Sequence, residues 1–216
     1  MHLLSSDFSP YSTRVRIQIR KKQLPITIGA PTNPALRTPE FADQYPLGKI
    51  PVLVLDDGSS LSESWAIMEY LEAVYPQPSL RPADPLGMAH ITMLARYADL
   101  HLSPALFPMF VSLLTGKAID AAQEMTSLQK ELNKGDRLLA SLPPFRQRAL
   151  TIGDIALATN LLFAIETPKL FGCSDSLKPF AHLSDWWLWV NQDAALTQGM
   201  TEMKTALDAF IAAKNR

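Results

Sequence analysis

Ser9-Pro10-Tyr11-Ser12-Thr13-Arg14-Val15-Arg16-Ile17-Gln18-Ile19-Arg20 is the stretch on which the fold turns. From Arg14 onward polar and apolar residues alternate, the period-2 signature of a half-buried strand. The start of the stretch argues the other way. Ser9 is a good helix N-cap, and Pro10 suits the first helical position, where the missing N–H has no helical acceptor to lose. Val15 and Ile19, four apart, also share a helical face. Pattern alone leaves strand and helix both open.

The flanks are easier to read. Leu3-Leu4 starts a short strand, and Pro25 to Ile28 reads as another, ended by Gly29. Thr38-Pro39-Glu40 is a helix start that Pro46 closes. Val52 to Leu55 is a β-branched apolar run. Asp57-Gly58 then makes a two-residue hairpin turn into Ser60 to Ser62. From Ser64, Ile67, Leu71 and Val74 recur at helical spacing as far as Pro76. Pro76 to Pro85 holds four prolines without periodicity, the best linker in the chain. Beyond it, helices are expected over about Leu86–Leu102, Ala118–Leu142, Ile152–Glu166, Pro179–Gln192 and Thr197–Ala213. The expected organisation is a small α/β half followed by an all-helical half.

Composition narrows the function. The chain has 216 residues, 47% hydrophobic and 19% charged, a globular balance with room for two small domains. Its net charge of −1 gives no basic footprint for nucleic acid. A single cysteine, Cys173, excludes an internal disulfide framework and fits a reducing compartment. No signal peptide and no uninterrupted apolar run of about 18 residues is seen, so a cytoplasmic protein without a membrane partner is expected. The nine glycines never fall as a dinucleotide fingerprint or a phosphate loop, and no GxSxG elbow occurs. His2, His90, His101 and His182 are scattered, so no metal site is expected.

Three motifs then act together: Ser9-Pro10-Tyr11-Ser12-Thr13-Arg14-Val15-Arg16-Ile17, Gly48-Lys49-Ile50-Pro51-Val52-Leu53, and Glu63-Ser64 followed by Trp65-Ala66-Ile67. With the proline-rich linker, the helical second half and Thr151-Ile152-Gly153-Asp154, they resemble the cytosolic glutathione transferases over essentially the whole length. The first motif looks like the serine-type classes, tau and zeta. The resemblance implies a thioredoxin-like N-terminal domain (residues 1–77), a linker (78–86) and an all-helical domain that binds an electrophile (87–216). It also makes Arg14–Arg20 helical.

The resemblance assigns roles that the chemistry of the residues supports. Ser9, at the mouth of the first helix, would donate its hydroxyl to the thiolate of glutathione, helped by the positive helix N-terminus. A free thiol of pKa ~8.5 is only a few per cent thiolate at pH 7, so such help is needed. Ser12, one helical turn inward, is the rival hydroxyl. Ile50, before a cis Pro51 in the family, would pair its backbone with the glutathione peptide as an added strand does. Lys49 would meet the glycine carboxylate. Ser64, opening a helix, and Glu63 would hold the carboxylate and ammonium of the γ-glutamyl end. Without the resemblance, Ser9 is a plain N-cap, Lys49 a solvated lysine and Glu63-Ser64 a cap beside an acid.

Phe8, Tyr11, Tyr97 and His101 are candidates for the pocket of a small hydrophobic electrophile, with packing as the plain alternative. The family also implies a homodimer, with the first helix of the second half near its two-fold axis and Asp99 close to the partner's glutathione site. Thr151 to Asp154 is a capping box that serves folding. Trp186, Trp187 and Trp189 point in three directions and are read as packing, and Cys173 as core or a loop end. Tyr45-Pro46, Ser9-Pro10-Tyr11, Gln18 and Arg20 depart from common family patterns and leave the class open. Two alternatives stand beside a transferase: a non-catalytic binding module of the same fold, and a glutathione-dependent isomerase such as maleylacetoacetate isomerase.

Overall fold

The computed structural model describes residues 1–214. They form two compact units: residues 1–80 together with the last helix, and residues 81–193.

The first unit is built on a four-stranded sheet in the order β2-β1-β3-β4. Strand β1 (His2–Leu4) pairs in parallel with β2 (Thr27–Gly29) and antiparallel with β3 (Val52–Val54). Strand β4 (Ser60–Ser62) pairs antiparallel with β3 through a three-residue loop, residues 56–58, rather than the expected two-residue turn; the Gly58 amide donates to the Leu55 carbonyl at 3.1 Å and Gly58 takes φ 85°. The parallel pair requires a crossover, and helix α1 (Pro10–Lys21) supplies it. Ser9 caps α1 and Pro10 sits in its first turn, as the sequence start predicts. Helix α2 (Pro39–Gln44), capped by Thr38, and α3 (Ser64–Val74) complete the α/β part.

The alternation in α1 has a physical cause. Every residue from Ser12 to Ile19 is buried. Helix α1 packs on α3 and also on α9 (Ala194–Lys214), so apolar residues are needed on more than one side. Gly199 of α9 allows the close approach: a Cβ there would lie 2.5 Å from Cγ1 of Ile17. The expected 87–216 helical domain therefore differs from the observed packing, in which α9 joins the N-terminal unit.

Gln18 departs from an apolar pattern because it enters a buried polar cluster. Its amide donates to the Met68 carbonyl and to Glu72 Oε1, both at 2.9 Å. Lys22 Nζ pairs with Glu72 Oε1 at 2.9 Å and donates to the Pro78 carbonyl at 2.6 Å. The Leu80 amide donates to Glu72 Oε2 at 3.0 Å. The Gln18 amide nitrogen, the Lys22 ammonium and the Glu72 carboxylate thus gain partners that replace water, and the chain leaving α3 is tied back to α1.

The second unit is helical. Helix α4 (Pro85–Tyr97), capped by Asp84, runs through a π-helical turn (Ala98–Leu102) into α5 (Ser103–Thr115). Helix α5 was not expected from the sequence, where Pro108 reads as a break. Pro104 lies in its first turn, and Pro108 is accommodated within it. By length and apolar composition the 31 residues Pro85–Thr115 would suffice to cross a membrane, contrary to the reading of that stretch as interrupted. Ile91, Leu94, Ala95, Leu102, Leu106 and Met109 are nevertheless buried in the unit's core. Leu86, Met93, Leu100 and Phe107, seven residues apart, stay exposed.

Helices α6 (Ala121–Ser141), α7 (Ile152–Glu166) and α8 (Ala181–Val190) follow. Helix α7 is the core helix, buried from Ile152 to Ala164. Thr151 and Asp154 form the expected capping box. Asp154, with no exposure, also receives the Arg148 guanidinium and the Trp186 indole N–H. Trp186 is fully buried, Trp187 and Trp189 partly, and Cys173 is a free, half-buried thiol in a loop.

Candidate functional site

Sheet register gathers the three sequence motifs. Leu4 of β1 lies opposite Val52 of β3, and Val52 lies opposite Ser62 of β4. The chain leaves β1 after Leu4, enters β3 at Val52 and leaves β4 after Ser62. Ser9, Ile50-Pro51 and Glu63-Ser64 therefore all emerge from one end of the sheet. Their separations in sequence, about forty residues and then thirteen, carry no hint of this without strand pairing.

Ser9 stands at the N-terminus of α1 with extended backbone (φ −96°, ψ 120°). Its Oγ accepts from the Ser12 amide at 3.2 Å. That bond uses a lone pair and leaves the Ser9 O–H to donate elsewhere. Ser9 is half-buried, whereas Ser12 is fully buried and its Oγ has no hydrogen-bond partner among the described residues. Of the two hydroxyls, Ser9 is the one a ligand can approach. An anion there meets the positive end of α1 and a hydroxyl donor together.

Ile50-Pro51 is cis, and Pro51 is buried at the entry to β3. Gly48, at φ 58°, turns the chain just before it, its amide donating to the Tyr45 carbonyl at 2.7 Å. Lys49 is exposed. Glu63 has φ 68° and ψ 110°, in territory that favours glycine. A non-glycine residue held there costs about 1–3 kcal/mol, and such strain clusters at ligand sites. Its carboxylate makes no capping bond to α3, so it is not committed to the helix it precedes. Ser64 is buried at the first position of α3, whose first-turn amides have no helical acceptor. An acid beside a helix N-terminus can hold both charges of a zwitterion.

The four pocket candidates fall in separate units. In the first unit, Phe8 packs its ring 5.1 Å from Phe210, and the Arg14 guanidinium lies 4.9 Å over the Tyr11 ring. In the helical unit, Tyr97 is buried and donates its hydroxyl to the Glu131 carbonyl at 2.8 Å. Burial, then the nearby Glu131 carboxylate, push the Tyr97 phenol well above its ordinary pKa. His101 is exposed, its ring stacked on Tyr97 and its Nδ1 3.5 Å from Glu131 Oε2. The packing alternative describes Tyr97 well.

Sequence reasoning missed one set of residues beside Ser9. Arg16 is a buried guanidinium on α1, paired with Asp7 in the loop before Ser9 and with Glu202 of α9. The only sequence signal was the density of cations between Arg14 and Arg20 on a helix that had to be buried.

The chain is similar to several known proteins. Residues 3–79 match the family model for the glutathione S-transferase N-terminal domain. Glutathione S-transferase 2 of Saccharomyces cerevisiae is 28% identical over 179 residues, 76% of each chain. A crystal structure of maleylpyruvate isomerase from Pseudomonas aeruginosa PAO1 superposes with a TM-score of 0.69 and 27% identity, covering 94% of this chain and 97% of that one. A glutathione S-transferase from Methylobacterium radiotolerans, solved in complex with glutathione sulfonate, superposes with a TM-score of 0.72 and 24% identity over 92% and 93% of the two chains.

Proposed function

We propose that this chain, whose residues 3–79 match the glutathione S-transferase N-terminal domain, activates the thiol of glutathione for addition to a small hydrophobic electrophile. The observation that carries the reading is the convergence of Ser9, Ile50 and Glu63-Ser64 at one end of the sheet. Ser9 donates to the thiolate at the positive end of α1. Ile50 offers its backbone to the cysteinyl part of the peptide, and Lys49 meets the glycine carboxylate. Ser64 and the first amides of α3 take the γ-glutamyl carboxylate, and Glu63 takes its ammonium. The match of residues 3–79 to the glutathione S-transferase N-terminal domain supports this choice of ligand. Lowering the thiol pKa by about two units takes about 2.7 kcal/mol, within reach of one charge-assisted hydrogen bond plus a helix terminus.

Within the first unit, Phe8 and Tyr11 offer aromatic surface to the electrophile. The protein acts in the cytoplasm as a homodimer. The exposed stripe Leu86, Met93, Leu100 and Phe107 on the long helix is the surface for self-association; apolar groups so spaced bury well against a second copy. A second reading, a glutathione-dependent isomerase, is favoured by the full-length likeness to maleylpyruvate isomerase. The test is retention on immobilised glutathione followed by turnover of chlorinated aromatics, peroxides, isothiocyanates and cis-dienoic diacids. Turnover of the first three marks a transferase, and turnover of the last alone marks the isomerase. Retention with no turnover marks a binding module, and failure to be retained defeats the proposal.

A further inference from the structure

Arg16 is an unusual residue to bury. Its side chain is 2% exposed, in the second turn of α1. Packing alone would be served by an apolar side chain, and a desolvated guanidinium is tolerated only where donors and charge are well matched. Burial does pull its pKa down, and the carboxylates of Asp7 and Glu202 oppose that pull while Arg20 adds to it. The direction of its contacts is informative. Nη1 donates to Ser5 Oγ at 3.3 Å and pairs with Asp7 Oδ1 at 2.5 Å. Nη2 donates to Thr13 Oγ1 at 3.1 Å and faces Glu202 Oε2 at 3.5 Å, which also receives Arg20 Nη1 at 2.8 Å.

Two of these partners lie in the loop that delivers Ser9. That loop is held at its start by the Ser5 amide donating to the Gly29 carbonyl at 2.8 Å. At its far end the Ser9 amide donates to the Ser6 carbonyl at 3.2 Å and the Phe8 amide to Ser6 Oγ at 3.4 Å. Arg16 grips the segment between. Glu202 holds the guanidinium from behind, so a residue of α9, nearly two hundred positions away in sequence, enters the same chain of contacts.

We propose that Arg16 is a positioning residue for the Ser9 hydroxyl, fixing the Ser5–Asp7 segment against α1 with Glu202 as its back-anchor. This rests on the reading of Ser9 as the hydroxyl that holds the thiolate. Hydrogen-bond strength falls steeply with distance and angle, so a loosened loop weakens the bond to sulfur before it weakens capture of the peptide ends. Position and charge predict opposite signs here. Asp7 is an acid two residues from Ser9, and an acid near a thiolate disfavours it. Removing Asp7 by charge alone lowers the thiol pKa, whereas removing it as a tether raises it.

The experiment titrates the ultraviolet absorbance of the thiolate of glutathione bound to the full-length protein and to Ser9→Ala, Asp7→Ala, Asp7→Glu and Arg16→Lys. Asp7 is 63% exposed, and its loss leaves Arg16 with Ser5, Thr13 and Glu202, so Asp7→Ala keeps the fold even where Arg16→Lys does not. Positioning predicts that Asp7→Ala raises the bound thiol pKa by about half a unit, which is about a threefold loss of thiolate and of kcat below that pKa. The KM for glutathione stays within about twofold, because other residues hold the peptide ends. Asp7→Glu restores the native value, and Arg16→Lys shifts it upward. A thiol pKa that falls or stays put in Asp7→Ala, while Ser9→Ala raises it, overturns the role of Arg16 and leaves that of Ser9. No shift in Ser9→Ala overturns both.

Discussion

Asp154→Ala tests the core of the helical unit. Asp154 has no exposed surface and accepts five donors. Arg148 gives two, at 2.5 Å and 2.8 Å; Thr151 gives its amide at 2.9 Å and its hydroxyl at 2.7 Å; Trp186 gives its indole N–H at 3.0 Å. Truncation treats them unequally. Arg148 is 26% exposed and regains water. Trp186 is fully buried and cannot, so its N–H is orphaned at about 1–3 kcal/mol. Loss of the cap on the Thr151 amide adds about 1 kcal/mol, and loss of the ionic contacts with Arg148 adds about as much again. Asp154→Ala should therefore cost about 3–5 kcal/mol. Thr151→Ala loses a hydroxyl but keeps its own amide bonded to Asp154 Oδ2, so it should cost about 1 kcal/mol. Urea unfolding followed by tryptophan fluorescence reads the difference. At an m of about 2 kcal/mol per M, Asp154→Ala moves the midpoint down by about 2 M and Thr151→Ala by about 0.5 M. Equal shifts would refute the reasoning, since they would mean that the buried indole and guanidinium draw nothing from the carboxylate.

Glu63→Ala should weaken binding to immobilised glutathione about tenfold while leaving kcat at saturating glutathione close to native, because it removes uniform binding rather than thiolate stabilisation. Gly199→Ala places a Cβ 2.5 Å from Ile17 Cγ1 and should cost about 1–3 kcal/mol in thermal unfolding. The double variant Leu100→Asp with Phe107→Asp should convert the protein to a monomer by light scattering, since both residues are more than half exposed on one chain and contribute little to its own core.

Legibility in the sequence followed the range of the interaction. Local signals were mostly sound: the Ser9 and Thr38 caps and the Thr151–Asp154 box stand where the residues place them, whereas the expected two-residue hairpin turn is a three-residue loop, residues 56–58. Helix α1 was ambiguous because periodicity reports how many sides are buried as well as backbone type. A helix covered by both α3 and α9 loses its single polar stripe, and the remaining alternation mimics a strand. Helix α5 was missed because Pro108 reads as a break in the apolar stretch from Pro104 to Leu114, whereas the structure accommodates it inside the helix. The Arg16 contacts were invisible, since Asp7 and Glu202 become its neighbours only through tertiary packing. Ser9, Ile50, Glu63 and Ser64 were singled out by resemblance, and their common end of the sheet follows from strand register, which the sequence does not display.

If the Ser9 hydroxyl stabilises the glutathione thiolate, the pKa of bound glutathione depends on it. The native complex should titrate near pH 6.5, about two units below the free thiol. Ser9→Ala should move the midpoint most of the way back toward ~8.5 and lower turnover at neutral pH by about 10- to 1000-fold, with glutathione affinity little changed. Ser12→Ala should leave the midpoint in place, because that hydroxyl is fully buried. A native midpoint retained in Ser9→Ala and lost in Ser12→Ala would transfer the role to Ser12. A midpoint unmoved by either would leave the helix terminus alone as the source of activation and contradict the account.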